Sequence, residues 1–308
     1  MTPEEIAAQA ASSIPFLRLP PRASVFADRA VRLRALAPGH AIGGYLALIA
    51  AVADQQQRML DDMPPVRLPA ADDLARSNAH GMPPLNAQTH ARDPVWCDVL
   101  RRLLRGLAES VESPQRDVMV ALERSRDELY EAQASKLIAG VTFGLDAATA
   151  PLIGAALQVY FTHLALALGH AALPRIDVAT VCPCCGTRPT ASVARIGARE
   201  AGYRFLHCAL CSVEWHMVRI KCTNCESTEG IRYETIDDGT PADKKAVRAE
   251  TCDACGTYLK ICYMDRDPNV EPVADDLATL PLDLLVADTG KTPSGINFML
   301  IHGDPGPE

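Results

Sequence analysis

Four Cys-x-x-Cys units crowd one stretch of a chain that is otherwise poor in cysteine, and no other feature limits the fold so strongly. They are Cys182/Cys185, Cys208/Cys211, Cys222/Cys225 and Cys252/Cys255, and of the 11 cysteines only Cys97 precedes Cys182. A Cys-x-x-Cys turn aims two sulfurs to one side and supplies two corners of a tetrahedron; a second turn carried back by two strands supplies the other two. The 22 residues between Cys185 and Cys208, and the 26 between Cys225 and Cys252, suffice for an antiparallel pair with its turn. The units therefore read as an internal repeat of two modules, each held by one tetrathiolate metal ion. Modules this small do not fold on apolar burial alone, so metal binding is expected to supply the missing stability.

Only ten residues separate Cys211 from Cys222, and Val213–Ile220 reads as one strand, which would hold the two sites in a fixed relation. Two other arrangements compete: cross-braced pairing of the first unit with the third, and a thiol–disulfide relay at Cys182-Pro183-Cys184-Cys185. The relay chemistry calls for a pair at the start of a helix, where the thiol pKa falls, and glycine and strand-like sequence follow here instead. Four thiolates suit zinc or a single iron equally, so spacing leaves the metal open. Cys97 reads as a helix core residue and Cys262 as a strand residue. Cys184, inside a knuckle, cannot serve the same tetrahedron comfortably and is read as a free, oxidisable thiol.

Upstream the pattern is helical. Ser24 is placed to cap a helix through Leu36, stopped by Pro38-Gly39, and a second apolar stretch runs from Ala41 to about Leu60. Six prolines between Asp61 and Pro94 mark a long loop. Trp96, Leu100, Leu103, Leu107 and Val111 recur at helical spacing, and one further helix is expected from Ser113-Pro114 to Gly140. Ala150–Leu168 has nearly the length of a membrane span, but Pro151, Gln158, Thr162 and His163 interrupt it and no basic flank follows. It reads as a central buried helix, with no membrane insertion. After Pro174 the period changes to two, with strands expected at Ala191–Ile196, Val213–Ile220, Ile231–Ile236 and Thr257–Met264. One short helix is expected around Ala274–Leu285, and the tail from Gly303 should fray.

The fold class is thus α+β: a helical domain over residues 1–174, metal-binding modules over 175–220 and 221–265, and a C-terminal segment over 266–308. The 308 residues carry a net charge of −8, and Cys182–Cys262 holds 11 basic against 10 acidic residues, which disfavours a nucleic-acid partner. The opening Met1–Ile6 has no basic n-region or apolar h-region, so a cytoplasmic location is expected. The sequence carries no HExxH or GxSxG motif and no GxGxxG after a strand; Gly290-Lys291-Thr292 fails as a phosphate loop because Leu285 stands where glycine is needed. No catalytic residue is assigned. His207 and His216 are read as surface or satisfied strand residues, with support for the ligands or spare ligation as the alternative, and Trp215 and Tyr258 as core packing.

Longer strings narrow the field. Arg204–His216, followed by Lys221-Cys222-Thr223-Asn224-Cys225-Glu226, then Thr251–Lys260 and Val273–Ala278, resemble the formate dehydrogenase accessory protein (FdhE) family. The resemblance is specific over about residues 182–300 and general over the helical part. It implies a non-enzymatic accessory factor with rubredoxin-like, iron-binding modules that contacts the catalytic subunit of formate dehydrogenase; the alternative is an electron-transfer or thiol redox protein acting on the same client. Carried over, the ligands are Cys182, Cys185, Cys208, Cys211, Cys222, Cys225, Cys252 and Cys255, with iron favoured and zinc the alternative. Cys184 departs from the family pattern, where an apolar residue is more usual.

Overall fold

In the computed structural model, which describes residues 15–175, 180–197 and 202–300, a long apolar helix sits at the centre of the helical region. This is α7 (Ala150–Leu168), whose residues from Ala150 to Ala165 are all buried. Against it pack α2 (Gly43–Asp61), α4 (Val95–Ala108) and α6 (Asp127–Ala139), with α1 (Val25–Leu36) on α2 and α5 (Gln115–Glu123) on α4. α4 buries Trp96, Leu100, Leu103 and Leu107 on one face, as their spacing requires. Ser24 precedes α1, but its side chain makes no capping bond.

Three details of the helical region differ from the sequence reading. The proline-rich loop contains a helix, α3 (Ala71–Ala79), none of whose residues is buried, so no apolar stripe announces it. The helix expected from Ser113-Pro114 to Gly140 is two, because the chain breaks at 124–126. There the Tyr130 hydroxyl donates to the Leu122 carbonyl at 2.7 Å and the Glu123 carbonyl at 3.0 Å, satisfying acceptors that a continuous helix would have used. Finally, β1 (Leu17–Arg18) leaves the helical region altogether and pairs with the sheet.

Among the described residues, eight strands form one sheet in the order β1-β4-β3-β2-β7-β6-β5, with β8 (Thr292–Pro293) pairing with the start of β7. The first module is an antiparallel meander of β2 (Pro189–Ala194), β3 (Arg204–Cys208) and β4 (Glu214–His216); the second repeats it with β5 (Ile231–Glu234), β6 (Val247–Cys252) and β7 (Thr257–Tyr263). The meanders join where β2 pairs in parallel with β7, Ser192 opposite Ile261 and Ala194 opposite Tyr263.

The two sites are therefore fixed relative to each other, but not by the expected Val213–Ile220 strand, which is only three residues long. Arg204, fully buried on β3, takes the carbonyls of Val218 (2.6 Å) and Lys221 (2.7 Å) and turns the chain out of the sheet, leaving Ile220 in a left-handed conformation (φ 63°). The same guanidinium reaches across the modules to buried Glu250 on β6, a charge pair that the interior tolerates because each partner is matched. The expected C-terminal helix is likewise two, α8 (Pro272–Ala278) and α9 (Leu280–Ala287), because Pro281 opens the second. The opening residues Met1–Ile6 and the tail from Gly303 lie outside the described residues.

Candidate metal centres

All four knuckles share one backbone turn. The residue after each second cysteine stands at positive φ: Gly186 (73°), Ser212 (57°), Glu226 (63°) and Gly256 (70°). Three of the turns close with a hydrogen bond to the carbonyl of the first cysteine, from Gly186 (2.8 Å), Glu226 (3.1 Å) and Gly256 (3.0 Å). The amides of Cys182, Cys208 and Cys222 in turn donate five residues ahead, to Thr187, Val213 and Ser227. Amides also point at sulfur: Leu210 and Cys211 donate to Cys208 Sγ at 3.4 Å, and Asn224 to Cys222 Sγ at 3.4 Å. Such donors stabilise a thiolate.

The strands bring these turns together in sequential pairs and not cross-braced. Cys182, Cys185, Cys208 and Cys211 form one cluster, and Cys222, Cys225, Cys252 and Cys255 the other; within each, all sulfurs lie within 4.8 Å of one another. Sulfurs stand 3.4 Å (Cys185–Cys208) and 3.5 Å (Cys182–Cys211) apart in the first, and 3.7 Å (Cys222–Cys255) and 3.8 Å (Cys225–Cys252) in the second. A metal bonded to sulfur at about 2.3 Å spaces tetrahedral ligands about 3.8 Å apart, whereas a disulfide would draw them to about 2.0 Å. The spacing fits a shared ion, and all eight thiols are free of disulfides.

Surroundings separate the two centres. Every sulfur residue of the first is at most 1% exposed, and the cluster belongs to the main hydrophobic core. The loop before α4 lies over its opening knuckle: Leu85 N–H donates to the Cys184 carbonyl at 3.0 Å and Ala87 N–H to that of Cys185 at 2.9 Å. From α7, Gln158 donates to the Ala209 carbonyl at 2.7 Å. Gln158 also accepts from Arg29, which donates in turn to Glu271. The first centre thus fastens the sheet to the helices. At the second, Cys225 is exposed and Cys255 half-buried, and Lys291, donating to the Cys252 carbonyl at 3.1 Å and to Asp253, is a surface clasp.

The electrostatics follow from that placement. Burial, aided by neighbouring thiols, drives Cys182 and Cys211 well up; at Cys185 burial is outweighed by hydrogen bonds from Cys182, Cys208, Cys211 and Thr187, which hold it well down. In the second cluster burial pushes Cys222 up to about 12. At Cys255 burial is outweighed by bonds from Thr257 and Asn224, and the thiol falls to about 6. Glu214, three residues past Cys211, is buried; its burial is overcome by Arg195 and His207, and its pKa lies at about 2.

The remaining candidates fall as follows. Cys184 is fully buried, with its thiol against Cys211, which removes the exposure that easy oxidation requires. Cys97 and Cys262 are buried on α4 and β7. His216 stacks edge-on against Tyr203 and Phe205, Trp215 is fully buried in the main core, and Tyr258 donates to Asp283. His207 is buried, with Nδ1 3.4 Å from Glu214. No described Cys-x-x-Cys unit opens a helix, as the relay chemistry would need. The buried charges Arg204, Glu250 and Lys260 escaped the sequence reading, although Lys260 stands conspicuously alone in the apolar run Tyr258–Tyr263.

Comparisons with known proteins agree over most of the chain. Residues 14–177 match the family model described as "FdhE, N-terminal", residues 181–219 "FdhE, central domain" and residues 220–300 "FdhE, C-terminal domain". A "Protein FdhE homolog" of Pseudomonas aeruginosa is 38% identical over 296 residues, covering 96% of each chain. "Protein FdhE" of Escherichia coli is 38% identical over 295 residues, covering 96% of this chain and 94% of its own. The crystal structure of the FdhE protein from Pseudomonas aeruginosa superposes with a TM-score of 0.87 at 38% identity, covering 94% of this chain and all of that one.

Proposed function

The chain belongs to the FdhE family, and from that premise we propose that it serves the catalytic subunit of a formate dehydrogenase in the cytoplasm, through a platform pinned by two tetrathiolate metal ions. Its role is that of a non-enzymatic accessory factor for formate dehydrogenase. The observation that carries the metal part of the reading is the repeated knuckle: four turns of one backbone form bring two sets of four sulfurs to within 4.8 Å. This arrangement is rubredoxin-like in its donor set, and iron is the proposed occupant, held by Cys182, Cys185, Cys208 and Cys211 at one site and by Cys222, Cys225, Cys252 and Cys255 at the other. A bound ion supplies cross-linking, fixing paired turns that the small meanders could not hold by burial alone. The chain's own residues do the rest. Arg204 and Glu250 lock one meander to the other, Gln158 and the Leu85–Ala87 loop lock the first to the helices, and the client meets a rigid surface.

Two measurements test this reading. Protein purified without air should carry two metals per chain with the visible bands of ferric tetrathiolate after oxidation; a folded, metal-free and colourless chain would refute it. In cells lacking the protein, formate dehydrogenase activity should return with the wild-type gene and fail to return with the Cys222→Ser/Cys225→Ser variant.

A further inference from the structure

Away from both cysteine clusters, a cavity of about 220 Å³ opens where four parts of the molecule meet. Its walls come from the loop after α6 (Val141, Leu145), from Thr190 on β2, from β7 and from the α8–α9 pair, and the segment 293–300 closes it. Gly295 lets that segment lie flat, since a Cβ there would stand 2.6 Å from Leu259 Cδ1 and 2.8 Å from the Pro189 carbonyl oxygen. Most of the lining is apolar. A cavity of about 150 Å³ admits benzene, so this one has room for an organic group somewhat larger.

One wall is polar and unbalanced. Lys260, almost fully buried, is 2.5 Å from Asp283 Oδ2 and 3.3 Å from Asp276 Oδ1. Tyr258 donates to Asp283 Oδ1 at 2.9 Å, and Asn297 donates to Asp276 Oδ2 at 2.8 Å. Two carboxylates thus face one ammonium, an excess of one negative charge, and these donors use about half of the roughly eight acceptor positions two carboxylates offer. Across from them Thr190, only 3% exposed, has its Oγ1 buried with no hydrogen-bond partner. A buried hydroxyl without a partner is costly, and Thr190 is one of the residues that line the cavity.

We propose that this cavity binds a cationic group, ammonium or guanidinium, carried on an apolar stem. Asp276 and Asp283, whose side chains keep some exposure, take the charge, and the apolar walls take the stem. Because the walls belong to the helical region, both meanders and the C-terminal helices, occupancy ties these parts together. The site stands independently of the metal reading.

The test uses the full-length, metal-loaded protein and phenethylammonium as probe, with 2-phenylethanol as its neutral counterpart, followed by calorimetry and thermal shift. The amine should bind saturably with a Kd below about 1 mM and at least about tenfold more tightly than the alcohol. Asp283→Asn should weaken it by at least about tenfold. Should that variant fail to fold, Val141→Trp, at the half-exposed rim, should block the cavity with unchanged circular dichroism. No saturable binding, equal affinity for the alcohol, or undiminished binding to Val141→Trp would overturn the proposal. A capped Leu-Arg-Leu peptide identifies the source: tighter binding than the amine points to a partner's side chain, weaker binding to a free amine, and either supports the site.

Discussion

The two cysteine clusters share a sequence pattern, a knuckle backbone and nearly the same sulfur spacing, yet they occupy opposite situations. The first is sunk into the main core, its turns hydrogen-bonded to helix α7 and to the loop before α4. The second stands near the end of the sheet, beside edge strand β5, with Cys225 exposed. Local sequence thus writes the coordination unit, and tertiary context decides what its loss costs. Structural zinc in small finger peptides contributes roughly 10–16 kcal/mol, comparable with the whole stability of a domain, about 5–15 kcal/mol. At the first centre that stabilisation is spent on the common core; at the second it is spent on one meander.

The largest expected effect breaks or confirms this contrast directly. Cys208→Ser with Cys211→Ser should abolish cooperative folding of the entire chain, read as loss of soluble protein and of helical circular dichroism. Cys222→Ser with Cys225→Ser should leave the helical signal and its melting intact and remove one metal. Equal collapse of both variants would erase the distinction. The same contrast should appear in exchange. A chelator should extract one metal quickly, and alkylation should then mark Cys222, Cys225, Cys252 and Cys255 while the buried set stays protected; mass spectrometry reads the order. Earlier labelling of Cys182 or Cys208 would reverse the assignment.

A smaller effect concerns acid. Glu214, buried beside the first centre between Arg195 and His207, has its pKa lowered from 4.5 to about 2. A depressed carboxyl pKa stabilises the native state above the unfolded value, and that contribution is lost as pH falls from about 4.5 through about 2. The shift corresponds to about 3 kcal/mol. Glu214→Gln should therefore lower stability by about that much at neutral pH, with the difference from wild type closing below about pH 4.5 in denaturant titrations. Asp253→Asn, its counterpart on the exposed side of the second centre, should leave stability unchanged, because its partners Lys291 and Arg232 hold it at the surface.

These contrasts mark where the sequence was legible. Both sulfur quartets, and the helices whose buried faces recur at helical spacing, are written locally, and α7 announces itself by composition alone. The sheet order is not. The parallel joint between β2 and β7 links residues almost 70 positions apart, and no period or turn signal encodes it. Arg204 looks like an ordinary strand cation until Glu250 and the Val218 and Lys221 carbonyls close around it, ending a strand that alternation alone would extend to Ile220. Helix α3 has the converse problem: it buries nothing, so proline and polarity hide it. For the same reason the unequal burial of the two clusters was invisible, since the residues that cover the first come from Leu85, Ala87 and Gln158, about a hundred residues upstream or nearer.

The smallest expected effect asks whether the knuckles themselves contribute to the contrast. Gly186 and Gly256 hold equivalent positions, at φ 73° and 70°. A Cβ on Gly256 would meet nothing within 4 Å, and one on Gly186 would meet Pro83 at 3.5 Å, an ordinary contact. Alanine at either site should therefore cost only the left-handed backbone penalty, about 1 kcal/mol. At Gly256 that should read as about fivefold weaker metal retention against a chelator, and at Gly186 as the same loss in a denaturant titration. Glu226→Gly should return a similar amount, because Glu226 already bears the penalty within the second centre. Equal costs at the two glycines would place the entire difference between the centres in what surrounds them. A several-fold larger cost at Gly186 would instead assign part of it to the Pro83–Asn86 turn pressing on the buried knuckle.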